Sequence, residues 1–238
     1  MGKRILAQRR GRGGFQFRAP KKGKVAPAKY PNFSLNETRK GVVEDLLHER
    51  GRMAPLAKIR FDDGTISYLP AVEGLKTGDT VYIGPDAPLH PGNVLPLKRM
   101  PEGTVICNIE KNFGDGGELV RAAGTSAILF SQAEERVIVR LPSGASAGLN
   151  PNARATIGVI AGGGRKEKPF LKAGTKWYYM RARGKKYPMV RGVAMAAVYH
   201  PFGGGRHQHP GKPTSTPRTA PPGRKVGHIA PKKTGRGR

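Results

Sequence analysis

Residues 58–69 read Lys58-Ile59-Arg60-Phe61-Asp62-Asp63-Gly64-Thr65-Ile66-Ser67-Tyr68-Leu69. Charged Lys58, Arg60 and Asp62 alternate with Ile59 and Phe61, Asp63-Gly64 is a strong hairpin-turn signal, and the chain resumes in β-branched and aromatic residues. The stretch therefore predicts two antiparallel strands with one apolar face. The period of two continues on both sides. Residues 41–47 add a strand, and residues 80–83 add another, entered by Gly78-Asp79 and closed by Gly84-Pro85. About four strands thus precede residue 90, and a small barrel of the oligonucleotide-binding type accommodates them.

A Pro-rich connection over residues 85–101 separates this set from a second one. Its strands are expected at residues 104–110, 118–122, 126–130, 136–141 and 153–160, with Gly114, Gly116 and Gly117 in one turn and Pro142-Ser143-Gly144 in another. So many short strands in one span again suggest a small barrel. Only residues 171–181, bounded by Pro169 and Gly184, support a helix. The chain reads as mainly β.

Composition says what surrounds these strands. The 238 residues carry 43 Lys or Arg against 16 Asp or Glu, a formal charge of +27, which excludes an ordinary small-molecule enzyme surface and points to a polyanionic partner. The excess lies at the ends: residues 1–36 hold ten cations and no acid, residues 161–238 hold 19 and one acid, and residues 37–160 are nearly neutral. Leu, Ile, Val and Phe follow the opposite rule, with 34 of 49 inside residues 37–160. The expected domains are a basic arm over 1–36, one barrel over 37–90, a second over 91–160 and a Gly/Pro-rich basic extension over 161–238. Extensions this poor in apolar surface cannot offset their own ordering entropy, so an anion is expected to order them. No apolar run is long enough for a membrane helix. The N-terminus has no secretory pattern, and Cys107 is the sole cysteine, so an intracellular protein without a disulfide or a Cys-based zinc site is expected.

The motifs favour a polymer phosphate. Gly162-Gly163-Gly164-Arg165-Lys166 resembles an anion-cradling loop, but no GxxxxGK[ST] sequence accompanies it, and a Gly triplet is equally a flexible linker. Arg165, Lys166, Lys168, Lys172 and Lys176 crowd the following positions. Trp177, Tyr178 and Tyr179 stand among Arg181, Arg183, Lys185 and Lys186, interleaving rings with cations as binders of single-stranded or irregular RNA do; for Trp177, packing onto the second barrel is the competing reading. His200, His207 and His209 lack a nearby carboxylate, which disfavours both a zinc site and general-base catalysis and leaves stacking on RNA or hydrogen bonding to it.

Four runs in order, Gly162-Gly163-Gly164-Arg165-Lys166-Glu167-Lys168-Pro169, Lys172-Ala173-Gly174, Val190-Arg191-Gly192-Val193-Ala194-Met195 and His200-Pro201-Phe202-Gly203-Gly204-Gly205, together resemble the universal large-subunit ribosomal protein two family. Phe202 and the following His207-Gln208-His209 resemble its archaeal and eukaryotic branch, and an archaeal-type member is expected. The resemblance implies an oligonucleotide-binding barrel followed by an SH3-like barrel, with arm and tail buried in large-subunit rRNA. It implies a primary rRNA binder that stabilises RNA near the peptidyl transferase centre and supports subunit association and tRNA binding, in the cytoplasm. His200 occupies the family's much-discussed histidine, for which a structural role in the tail's path is expected rather than catalysis.

The expected RNA contacts are Arg9, Arg10, Arg12 and Arg18 in the arm, and Arg165, Lys166, Lys168, Lys172, Trp177, Arg181, Arg183, Arg191, His200, Arg206, His207 and His209 beyond the barrels, arginine being favoured at forked phosphate contacts. No enzymatic activity, resident cofactor or homo-oligomer is expected; Mg2+ or K+ would come bound through the rRNA. Further partners are small-subunit rRNA at an intersubunit bridge and neighbouring ribosomal proteins. Two rivals carry the same charge or histidines: a free nucleic-acid chaperone and a metal-dependent hydrolase.

Overall fold

A computed structural model describes residues 2–34, 36–165 and 167–233. The described residues fall into two compact units: a central unit of residues 21–169, and a terminal unit in which the segment up to Pro20 joins the segment from Phe170 onward.

The central unit is built on the hairpin of residues 58–69. Strands β1 (Arg39–Leu47), β2 (Leu56–Phe61) and β3 (Ile66–Pro70) are antiparallel neighbours, and β4 (Thr80–Ile83) pairs with the other edge of β1. At the turn Gly64 takes a φ of 80°, the Phe61 N–H donates to the Thr65 carbonyl at 2.9 Å, and the Asp63 carboxylate accepts from the Thr65 N–H at 2.9 Å. Ile59 and Phe61 are buried while Arg60 stays exposed, the alternation that a half-buried strand imposes. Gly41 has a steric reason: a Cβ there would lie 2.7 Å from the Ile59 side chain and 2.8 Å from the Phe61 ring. Val43, Ile59, Phe61, Leu69, Val81, Ile83, Val94 and the Tyr30 ring close this first core.

The second set comprises β6 (Val105–Cys107), β7 (Ala127–Gln132), β8 (Val137–Arg140), β9 (Ser146–Leu149) and β10 (Arg154–Ile157), around Leu97, Met100, Ile106, Leu129, Val139 and Ala155. Between the sets, β5 (Val94–Pro96) runs inside the Pro-rich stretch that the sequence reading treats as a separator. It pairs antiparallel with β10 and meets β4 at Ile83↔Val94. Val94 enters the first core and Leu95 the second, because successive side chains of a strand point to opposite faces. The ladder therefore continues through both sets, in the order β3-β2-β1-β4-β5-β10-β6-β7-β8-β9.

Other expectations change for local reasons. Residues 118–122 form no strand and contribute one bridge, Ile109↔Leu119, since Gly116, Gly117 and Val120 all take positive φ where a strand needs extended backbone. Asn108, at φ 47°, cuts β6 short of residue 110, and Gly158, at φ 112°, ends β10 before residue 160. β9 was not expected, because Ser-Ala-Gly-Leu has weak strand propensity; its register with β8 supplies the pairing. The terminal unit holds helix α2 (Ala173–Arg181) at the expected place and also helix α1 (Leu6–Gly11), in the arm where the sequence predicts no helix. The chain is mainly β.

An ion pair is sealed inside the central unit. Arg154 donates to Glu110 from Nη2 at 2.7 Å and from Nε at 3.1 Å, with side-chain exposures of 6% and 0%. Glu110 also accepts the Arg154 and Gly116 backbone N–H groups, and Arg154 lies over the Tyr30 ring, so the buried charges are both paired and hydrogen-bonded.

Candidate nucleic-acid interface

Helix α2 buries none of its residues completely, which is unusual for a helix carrying Trp177, Tyr178 and Tyr179 in succession. Successive helical positions lie about 100° apart, so three consecutive rings cannot share one apolar face. They meet cations and one another instead and stay partly exposed. Arg181 lies over Trp177 at 4.9 Å and Arg183 over Tyr179 at 3.6 Å, both one helical turn on, and Trp177 meets Tyr178 edge-on at 4.8 Å. The helix stops in a Schellman arrangement: the Lys185 N–H donates to the Met180 carbonyl at 3.0 Å, the Gly184 N–H to Arg181 at 3.1 Å, and Gly184 takes φ 64°.

Gly184 also joins the two ends of the chain. A Cβ there would lie 2.7 Å from both the Ala19 nitrogen and the Phe17 carbonyl, so the arm's backbone seats directly on the helix end. A second tether is the Lys3 N–H, which donates to the Val198 carbonyl at 2.8 Å. Between the tethers the arm turns through Phe15–Phe17, a single 3-10 turn fixed by the Arg18 Nε–H, which donates to the Gly13 carbonyl at 2.6 Å.

This seating creates a cavity of about 680 Å³ between arm and helix. Four of the expected contacts, Arg9, Arg18, Trp177 and Arg181, line it, with Lys185 and Lys186 beside them. Arg12 lines an adjoining void of about 280 Å³ with Arg9. The sequence reading missed Phe15 and Tyr187, which complete the larger cavity, and counted Lys185 and Lys186 only as neighbours of the rings. The available signal was Phe15 itself, an aromatic residue amid Arg9, Arg10, Arg12 and Arg18.

The remaining expected contacts lie elsewhere. Arg10 sits 3.7 Å from the Met189 sulfur, and Arg191 donates to the Gln208 side chain. Lys172, Arg206, His207 and His209 are exposed in the terminal unit. Arg165 and Lys168 are exposed on the turn that closes the central unit, and Lys166 lies outside the described residues. In that turn a Cβ on Gly162 would come within 3.1 Å of the Met53 carbonyl, and one on Gly163 within 3.2 Å of the Gly124 Cα, so close packing accounts for two of the three glycines.

His200 is held by its surroundings. Its Nδ1 accepts the Phe202 N–H at 3.1 Å, and its ring covers Gly192 so closely that a Cβ there would lie 2.3 Å from it. Partial burial moves its pKa down, favouring the neutral ring whose Nδ1 can accept. Gly203 fits beneath the Met195 and Ala196 carbonyls, and the Gly204 N–H donates to Met195 at 2.9 Å, so the His-Pro-Phe-Gly-Gly run folds back on residues 192–196. Among the described residues no three His, Cys, Asp or Glu side chains converge as metal ligands would.

Cations, rings and glycine turns with no acidic side chain are the chemistry that an anionic polymer with exposed bases requires. Comparison with known proteins shows the family. Residues 3–83 match the family described as Ribosomal Proteins L2, RNA binding N-terminal domain, and residues 90–224 match Ribosomal Proteins L2, C-terminal domain. The chain is 56% identical over 236 residues to the large ribosomal subunit protein uL2 of Cenarchaeum symbiosum, covering 99% of this chain and 97% of that protein. Its identity to the uL2 of Nitrosopumilus maritimus is 56% over 239 residues, covering 100% and 98%, and to that of Halorubrum lacusprofundi 54% over 237 residues, covering 100% and 99%. With two strand sets in series, a terminal unit free of acidic residues and matches along nearly its whole length, the chain belongs to the L2 family of large-subunit ribosomal proteins.

Proposed function

We infer that this protein is a structural, non-enzymatic constituent of the large ribosomal subunit in the cytoplasm, a primary rRNA binder whose terminal unit stabilises RNA near the peptidyl transferase centre. Subunit association, through small-subunit rRNA at an intersubunit bridge, and tRNA binding would follow from that RNA scaffold, with neighbouring ribosomal proteins as further partners. The observation that carries the reading is electrostatic: the sequence segments of the terminal unit hold 22 Lys or Arg and no Asp or Glu. Each phosphate neutralised by such a cation releases condensed counterions, and that release offsets the entropy of ordering the Gly- and Pro-rich chain. Mg2+ or K+ would arrive with the rRNA rather than in a site of this chain. His200 acts by position: its neutral ring locks the turn over Gly192 and so sets the path of the tail.

Crosslinking in cells, with sequencing of the bound nucleic acid, tests this. The expected result is discrete large-subunit rRNA sites, with crosslinks from the arm and from residues 162–238. Scattered transcripts or genomic DNA would overturn it in favour of a free chaperone. In vitro, if about ten phosphates are neutralised, log K should fall against log salt with a slope of about −7 to −9.

A further inference from the structure

We propose that the cavity between Phe15 and Trp177 is a nucleobase pocket: it takes one unpaired rRNA base, stacked on the Phe15 ring, while the surrounding Arg and Lys side chains hold the flanking phosphates. The inference rests on the rRNA-binding reading and names what that surface recognises.

Phe15 is 85% exposed, and among the described residues no ring or cation is paired with it. The other rings of the cavity are engaged, Trp177 by Arg181 at 4.9 Å and Tyr187 by Lys176 at 5.3 Å. Phe15 is thus the open platform of the site. A freely moving side chain would be a poor platform, but this one stands on a hydrogen-bonded turn, with the Phe17 N–H donating to Gly14 at 2.9 Å and the next residues seated on Gly184. The turn and the seat, rather than the ligand, thus fix where the ring stands within the terminal unit.

The lining selects the ligand. Cations with no carboxylate fit phosphates, and flat rings beside them fit a base rather than a bare anion. At about 680 Å³ the cavity has room for a nucleotide and lies within the roughly 300–1,000 Å³ typical of small-molecule sites. Phe15 also borders the adjoining void with Arg9 and Arg12, so the ring stands between two cationic hollows, as a side chain that separates a splayed base from its stacked neighbours must. Gln16 is the one side-chain amide in the lining and the remaining polar groups are mostly cations, while every base has a stacking face, so the pocket should select an unpaired base over a paired one more than one base over another.

The test uses the full chain assembled with large-subunit rRNA, comparing wild type, Phe15→Ala and Phe15→Trp. Base-specific chemical modification is read across the rRNA, along with the salt dependence of binding. Phe15→Ala is expected to weaken binding about 5- to 150-fold and to expose one unpaired base, while Phe15→Trp restores protection. The salt slope should stay constant, because the phenyl ring carries no charge. If Phe15→Ala stays bound with every base reactivity unchanged, the pocket is refuted and the rRNA-binding reading survives. If a photocrosslinker at position 15 captures a protein segment instead of RNA, the occupant is a peptide and the proposal falls. Failure of the wild-type chain to bind rRNA above mixed duplexes would remove both readings.

Discussion

The central and terminal units differ most in where their cations rest. In the central unit Arg154 meets Glu110, Arg52 and Lys24 share Glu49, and Lys58 and Arg60 share Glu44. The segments of the terminal unit hold no Asp or Glu to meet, and Arg181, Arg183 and Lys176 lie over rings. Burial follows the same division. The central unit closes apolar cores, whereas among the described residues the buried hydrophobic ones of the terminal unit are Ile5, Ala182 and Val226. One unit is stabilised by what it removes from water; the other is held by backbone hydrogen bonds and close glycine contacts, and keeps its charge available. A chain that must keep a closed apolar core and also offer unpaired cations to an anionic partner needs both arrangements.

The sharpest way to break this contrast is to remove a carboxylate. Glu110→Ala strands a buried Arg154 and should cost about 3–5 kcal/mol, seen as a fall in the urea midpoint. Arg181→Ala, by comparison, removes a half-exposed cation from a ring and should leave the midpoint within about 0.5 kcal/mol while weakening RNA binding. Equal losses of stability would show that the two units do not divide the work as described.

A smaller effect is expected where arm meets helix. Gly184→Ala strains a left-handed residue by about 1–2 kcal/mol and drives a Cβ into the Ala19 and Phe17 backbone. Hydrogen exchange should quicken in residues 14–20 and leave β1 to β4 unchanged. Exchange that also quickened in the strands would mean the units are not separable.

The smallest effect concerns His200. Its folded pKa lies below the ordinary value near 6.5, so the folded turn prefers the neutral ring. The stabilisation it contributes is complete above the unfolded pKa and is lost as pH falls from there through the folded pKa. Exchange of the Phe202 amide, which donates to His200, should therefore exceed the pH trend of other amides below about pH 6. His200→Ala should abolish that excess.

Legibility in the sequence followed the range of the interaction. Asp63-Gly64 and the alternation around it specify a hairpin within twelve residues, and α2 lies where Pro169 and Gly184 bound it. β5 was hidden because Pro91 and Pro96 read as breakers, although Val94 and Leu95 between them feed both cores. β9 was hidden because its residues are poor strand formers and its existence depends on β8. In the candidate interface, the cations and Trp177 are visible as composition, but their convergence with Phe15 is not, since Phe15 and Trp177 are far apart in the chain and meet only through the seat at Gly184.

The amino-acid sequence alone therefore determined the charge division, the mainly β class and the family, because each depends on residue type, local period or ordered motifs. Tertiary structure alone decided that arm and tail make one unit, that β5 links the strand sets and that Glu110 meets Arg154 across 44 positions. Those outcomes depend on which distant surfaces can approach without collision, a matter of shape that no local pattern encodes.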